Sequence, residues 1–312
     1  MAENTITGLV PEIYEALDIV SRELTGMIPS ATMNASANTV QVGQAIRVDV
    51  EPAGNVSNIT PAMVVPDPTG QTSGYTDIII TKSRAAEFGF NGEDQKGLNT
   101  GAGYGTVRAN KIAQAIRAVT NEVETDLCAL QSTFSRAHGT AGTAPFGTAN
   151  DYTDASNVLK ILKDNGSPLQ DNQLVINTTA GVNLLGKQAA VADAGSDSIL
   201  RQGVLLDING MPIRESAQIV DAAAGGIAGA ATTNAAGYAV GATVLTLAAG
   251  GTGNAAAGEV YTFAGDTNKY VVESATFAGA NPAAGDTITL AAPGLRVAMS
   301  AATKAITKIA AS

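Results

Sequence analysis

The sequence predicts an α+β protein, on three observations. A strand of strict apolar–polar alternation sits near residue 46, a long stripe of helical period runs from Val107 to Ala137, and the last third consists of short β-prone runs between glycine-rich turns. At about 150 residues per domain, 312 residues make one large domain or two ordinary ones. With 45% hydrophobic and 15% charged residues, disorder driven by charge is excluded and a core can form.

Pro11 followed by Ile13, Leu17, Val20 and Leu24 predicts a short amphipathic helix, with Pro in its first turn and Gly26 as its stop. The polar, small residues from Ser30 to Asn38 read as an extended arm. Ile46, Val48 and Val50 then alternate with Arg47, Asp49 and Glu51, the pattern of a half-exposed strand, and Asp77–Ser83 is its natural partner. The connection carries Pro52, Pro61, Pro66 and Pro68 and is far longer than the ~2–5 residues of an ordinary hairpin loop. A two-stranded ribbon is at best marginal in water, so this one is expected to be completed on another surface, that of a neighbouring subunit.

From Val107 to Ala137, Ile112, Ile116, Val119, Val123, Leu127, Leu130 and Phe134 recur at spacings of 4, 3, 4, 4, 3 and 4, which predicts one face of a long helix ended by His138-Gly139. Asp151–Asp154 reads as the capping region of a second helix carrying Val158, Leu159 and Leu162, stopped by Asn165-Gly166 and Pro168. Gln173–Asn177 follows as a buried strand, the small-residue stretch to Asp193 as a helix, and Gly203–Ile208 and Met211–Ser216 as strands around the Asn209-Gly210 turn.

After Asp221 the composition changes. Of residues 221 to 260, 24 of 40 are Ala or Gly, and no basic residue falls between Arg214 and Lys269, so a separate module is expected. Runs at Ala242–Leu247, Glu259–Phe263, Lys269–Glu273 and Asp286–Leu290 predict a small barrel or sandwich of four to six strands. No repeat of fixed period occurs.

The net charge of −10, with no basic run, argues against electrostatic gripping of nucleic acid. One Cys and one His leave no multi-Cys metal site or poly-His centre. Cytosolic folding without export is expected from Glu3, Glu12, Glu15, Asp18 and Glu23 in the first 26 residues and from the lone thiol, and no apolar run is long enough to span a membrane. Gly101–Gly105 follows polar residues rather than a strand and fails as a dinucleotide fingerprint. Glu93/Asp94 and Glu122/Asp126 read as solvated surface, His138 as a cap on helix carbonyls, and Cys128 as a small buried hydrophobe whose acidic neighbours Glu124 and Asp126 disfavour a thiolate. Asp193–Asp197 lacks the oxygen ligands of a calcium loop, and the Asn-x-Ser/Thr triplets at Asn34, Asn55, Asn58 and Asn177 matter only in a secreted chain. No catalytic, cofactor-binding or metal residue is assigned, no cofactor is expected, and the chain reads as a self-assembling structural protein rather than an enzyme.

Ile80–Ala85, Asn91–Asn99, Gln173–Thr178 and Gly203–Ser216 resemble, in order and without gaps, the major capsid (coat) proteins of tailed bacteriophages. More narrowly, the chain is similar to the coat-protein family of short-tailed phages, in which a β-rich domain is inserted into the Hong Kong 97 type capsid fold. The resemblance implies an N-terminal arm over 1–40, an E-loop and flanks over 41–105, a spine helix of the peripheral domain within 106–150, a peripheral/axial domain over 151–221, an insertion domain over 222–295 and a C-terminal return segment over 296–312. It also implies a function: hexamers and pentamers tiling an icosahedral shell around double-stranded DNA, without sequence-specific binding. The implied location is the virion capsid, assembled in the bacterial host cytoplasm.

The implied partners are other copies of the chain, a separate scaffolding protein, a portal and a decoration protein, with no membrane. A separate scaffold is expected because the chain lacks a long N-terminal coiled coil, and the end at Ser312 reads as short of a closing strand used by related proteins. A Lys–Asn cross-link in the manner of the founding capsid would call on Lys82 and Glu87, but an ordinary solvated Lys is the better reading. Arg47, Asp49, Glu51, Lys82 and Arg84 are the expected intersubunit polar contacts, set against the plainer reading of a hydrated strand face. The alternative function is a phage tail, fibre or surface-adhesion protein whose β module binds a receptor.

Overall fold

The structure, a computed structural model, describes residues 25–32, 41–51, 73–89, 91–92, 96, 104–140, 143–149, 151–168, 170–187, 205, 207–219 and 226–309. It contains both helices and sheets, compatible with the expected α+β class. Two compact units divide it: Ala31–Tyr104, and the rest. The expected helix over 11–24 and the whole of the 52–72 connection lie outside the described residues.

In the smaller unit, β1 (Ala45–Val50) pairs antiparallel with β2 (Gly74–Ile79), with Ile46 opposite Ile78, Arg47 opposite Asp77 and Val48 opposite Thr76. Directly opposed residues share a face, so the pairing sorts Ile46, Val48, Val50 and Ile78 to one side and Arg47, Asp49, Tyr75 and Asp77 to the other. The partner strand lies three to four residues earlier than the expected Asp77–Ser83. The cause is at the start of β1: the chain turns at Gly43, whose φ is +88°, and Gly43 N–H donates to Ile80 O at 2.9 Å. Beyond Ile80 there is no β1 backbone left to pair with.

The larger unit begins its helices with α1 (Tyr104–Ala129), 26 residues or about 39 Å long. The helix was expected to run to Ala137 but stops eight residues sooner. Leu130–Thr133 tightens to a 3-10 turn, Phe134 is extended at φ −70° and ψ 142°, and Arg136–Ala137 forms β3. Thr133 Oγ1 donates to Leu130 O at 2.7 Å, a local bond that competes with helix propagation, and the next residues are recruited into a sheet. The expected stripe holds in its first part only. Ile112 is buried with Ala113, and Ile116 packs against them, while further along the helix Glu124 and Cys128 are buried and Val123, Leu130 and Phe134 are exposed.

Helix α2 (Thr153–Asp164) starts where expected: Asp151 Oδ1 accepts from Thr153 N–H at 2.8 Å and Asp154 Oδ2 from Phe146 N–H at 2.7 Å. Gly166, at φ +75°, follows its end. Strand β4 (Leu174–Ile176) leads into α3 (Thr178–Lys187), whose first turn is held by Asn177 Oδ1 accepting from Ala180 N–H at 2.8 Å. The Asn209-Gly210 turn forms with both φ positive, 54° and 75°, and Ile208 bridges Met211, while residues 203, 204 and 206 of the expected strand before it lie outside the described residues. Past the turn, Met211 is buried and β5 (Ile213–Glu215), within the expected Met211–Ser216 strand, pairs parallel with β4. Phe146, Ala155, Ile176, Ala180, Leu184 and Met211 form the core of this region.

The C-terminal strands are β6 (Val244–Thr246), β7 (Val260–Phe263), β8 (Lys269–Thr276), β9 (Thr287–Leu290) and β10 (Ile306–Lys308). They lie in the order β10-β7-β8-β9-β6, with β3 also on β8, and every pair is antiparallel. Residues 231–234 close the sheet. Ile306 N–H donates to Ala231 O at 3.0 Å and Thr233 N–H to Lys304 O at 2.9 Å on the β10 side, while Asn234 N–H donates to Thr246 O and Ala248 N–H to Thr232 O, both at 2.9 Å, on the β6 side. The result is a small barrel with its edges paired, one of the two forms the sequence predicted. Residues 296–312, expected as a separate return segment, supply β10 to this barrel. Leu245, Tyr261, Phe263, Tyr270, Val272, Ile288, Leu290 and Ile306 fill its interior.

The two interior tyrosines keep their hydroxyls bonded: Tyr261 Oη donates to Glu259 Oε2 at 2.5 Å, and Tyr270 Oη to Asp266 Oδ2 at 2.6 Å while accepting from Arg296 N–H at 2.9 Å. Burial, and then the bond to Asp266, push the Tyr270 phenol up to about 12. A phenol whose folded pKa is raised stabilises the fold below the unfolded value of about 10 and loses that contribution as pH climbs. Denaturant unfolding followed by tyrosine absorbance should therefore show stability falling as pH rises from about 10, and Tyr270→Phe should make that fall shallower. Leu245→Ala should cost about 2–5 kcal/mol in denaturant unfolding, and exposed Val240→Ala within about 0.5 kcal/mol of nothing.

Candidate functional site

The expected contact residues lie in the ribbon unit, and their charge is partly committed within the chain. Arg47 Nε donates to Asp77 Oδ1 at 3.1 Å, and its guanidinium carbon lies 3.6 Å from the centroid of the Tyr75 ring. Glu51 Oε2 accepts from Ser73 Oγ at 3.1 Å. Asp49 is on the same face as Arg47, opposite Tyr75. Lys82, Arg84 and Glu87 lie past β2 in an exposed stretch outside the named strands, so the β1–β2 register gathers Arg47 and Asp49 and does not include Lys82 and Arg84.

The opposite face of the ribbon is aliphatic. Val48, Val50 and Ile78 are 36%, 49% and 49% exposed, an apolar row with Ile46 on a ribbon that has no second layer among the described residues. The alternation itself was the signal. It marks one apolar and one charged face.

In the larger unit the most constrained polar group is Glu124. It is fully buried on α1, where its Oε1 accepts from Gly26 N–H and Met27 N–H, both at 2.8 Å, and its Oε2 from Ile28 N–H at 3.0 Å. Those amides open the 3-10 turn Ile28–Ser30 and have no helical carbonyl to bond. Burial raises the Glu124 carboxyl pKa, but the bonds from Met27, Ser216, Ile28 and Gly26 together outweigh it and hold the group below the usual carboxylate value. The sequence marked Glu124 only as a neighbour of Cys128; its phase with Ala109 and Ala113 was the available sign of burial. Cys128 is buried as expected, with Sγ 3.7 Å from Ser216 Oγ, and burial with the Glu124 charge pushes its thiol up.

A cleft of about 860 Å³ opens between α2, β4, the start of α3 and residues 138–148, with Lys269 at its edge. His138 follows β3 instead of capping a helix: its Nε2 lies 3.5 Å from Asp154 Oδ1 and 3.2 Å from Asn157 Nδ2. Among the described residues no group of three His, Cys, Asp or Glu could hold a metal, and no helix is long and apolar enough to cross a membrane. Glu93, Asp94 and Asp193–Asp197 fall outside the described residues.

No protein-family model matches the chain, and no curated protein matches it. Among solved structures it is similar to a chain from Mycobacterium phage Che8, at 16% identity and a TM-score of 0.45, over 92% of this chain and 88% of that one.

At Gly26 an added Cβ would sit 2.6 Å from Val175 Cγ1 and 2.9 Å from Glu215 O. Gly26→Ala must therefore shift the segment that Glu124 holds, and should cost about 1–3 kcal/mol in denaturant unfolding.

Proposed function

We propose that this chain is a major capsid protein of the Hong Kong 97 type, which self-assembles as hexamers and pentamers into an icosahedral shell around double-stranded DNA. The observation that carries the reading is the bare apolar row Ile46, Val48, Val50 and Ile78 on a two-stranded ribbon. Such a ribbon gains its stability from what covers it, and in a homomeric shell that surface is supplied by the next subunit.

Three further features support it. The four ungapped stretches of resemblance include Gln173–Thr178 and Gly203–Ser216, the latter stretch carrying β5, the parallel partner of β4. The barrel accounts for the composition change after Asp221, as an inserted domain would. The net charge of −10 suits a container that must release its DNA, because surplus carboxylates weaken attraction to phosphate. Many modest contacts, each repeated around the shell, sum to a stable wall.

The test is expression of the full chain with and without a candidate scaffolding protein, followed by electron microscopy. Uniform round shells support the reading; tubes or elongated trimers point to the tail or adhesion alternative. Val48→Asp with Ile78→Asp should abolish shells while the barrel and helical unit unfold at the wild-type denaturant midpoint. Arg47→Glu, which breaks an exposed pair worth about 0–1 kcal/mol per copy, should slow assembly without abolishing it. Shells that form normally from the double Asp variant would overturn the role given to the ribbon.

A further inference from the structure

The contact between Glu124 and residues 26–28 has a property that its neighbours in the same unit lack. Gly26 is buried, Met27 and Ile28 are half-buried, and none belongs to the apolar core clusters of this unit. What ties the segment down is polar: three N–H bonds to one carboxylate, and a lateral contact of Ser30 Oγ with Gln173 Oε1 at 3.0 Å. Bonds to an ionised acceptor are about twice as strong as neutral ones, so the segment's attachment is concentrated in a single titratable group.

We propose that Glu124 is a protonation-controlled latch: ionised, it holds residues 26–30 on α1; protonated, it releases them while the barrel and the α2–β4–α3 core stay folded. Protonation adds a hydrogen to one oxygen, which turns an acceptor toward amide donors into a donor itself. At least one of the three bonds is then lost outright and the others lose their charge assistance.

Among the described residues, the surroundings leave the switch to this one group. From the 213–216 stretch, Glu215 presents its backbone carbonyl to Gly26 and Ser216 its hydroxyl to Glu124, while the Arg214 guanidinium is bonded to Gln173 Oε1 at 2.7 Å. From β4 and its lead-in come Val175 and neutral Gln173. On α1 the nearest ionisable side chain on the buried seam is the Cys128 thiol, whose raised pKa keeps it neutral in acid. Residues 25–32 carry no charged side chain.

The sign is that of a depressed carboxylate. The hold is complete above the unfolded carboxylate range and is lost as pH falls through the lower folded value, with protection declining about ten-fold per pH unit below it.

The experiment is hydrogen exchange of the intact chain read by mass spectrometry, with each amide's protection corrected for the pH dependence of intrinsic exchange. Expected is loss of protection at the 26–28 amides on acidification while peptides from β8 and α2 keep theirs, and for Glu124→Gln the same selective loss already at neutral pH with no further acid step. Retention of protection at 26–28 to the acid limit of the folded protein, or its loss only together with β8 and α2, would overturn the latch. If Glu124→Gln does not fold, the wild-type titration decides alone. Neither result depends on whether the chain forms shells.

Discussion

A carboxylate taken out of water has to be answered by donors, and in this protein the answer organises the start of the larger unit. Glu124 is fully buried, and it is stabilised by amides that themselves needed an acceptor. Each side of the contact removes the other's penalty: the first N–H groups of the Ile28–Ser30 turn have no carbonyl behind them, and the carboxylate has no solvent. The requirement spreads outward. Gly26 must lack a side chain for its backbone to come this close to Val175 and Glu215, and Ser216 must turn its hydroxyl toward the same oxygen pair. A polar contact thus fixes a segment that has little apolar area of its own to bury.

The β structure meets the opposite problem, unpaired edges and uncovered faces, in two different ways. In the barrel, residues 231–234 bond to both ends of the strand order, so the sheet has no free edge and its inner face closes over a core that includes Tyr261, Tyr270 and Leu290. In the ribbon, two strands pair with each other and stop, leaving Val48, Val50 and Ile78 exposed. A polypeptide that can close one sheet fully, yet leaves another open on an apolar face, has its stability divided between intramolecular and contact-dependent parts. That division is the physical content of the assembly reading.

Local chemistry was legible in the sequence where one residue type leaves a turn or strand little choice. The Asn209-Gly210 turn, the stop at Asn165-Gly166, the alternation at 46–50 and four strands of the barrel all follow from it. What was not legible depended on distant partners. Phe134 continues a helical stripe, but Arg136 and Ala137 are claimed by Tyr270 and Lys269 more than 130 residues away, so the helix ends early. Met211–Ser216 reads as a strand, but its parallel pairing with β4 carries no local sign. β10 was missed as a strand because Ile306–Lys308 has no alternation to show until β7 is beside it. Glu124 was missed for a related reason: a lone acid on a helix reads as solvated unless the donors that bury it are known.

These misses share a direction, and it bears on how the contact surfaces should be read. Arg47 attracts attention as a charged residue on a candidate interface, yet its guanidinium is already stacked on Tyr75 and paired with Asp77. A charge satisfied within its own ribbon has less to gain from a partner, since a new contact must first give up an existing one. The apolar face has no such competing commitment: covering Val48, Val50 and Ile78 removes them from water at a gain of roughly 25 cal/mol per Å². Affinity at this ribbon is therefore expected from its aliphatic side, while the Arg47–Asp77–Tyr75 cluster stiffens the strands that present it and sets the register in which the aliphatic residues line up.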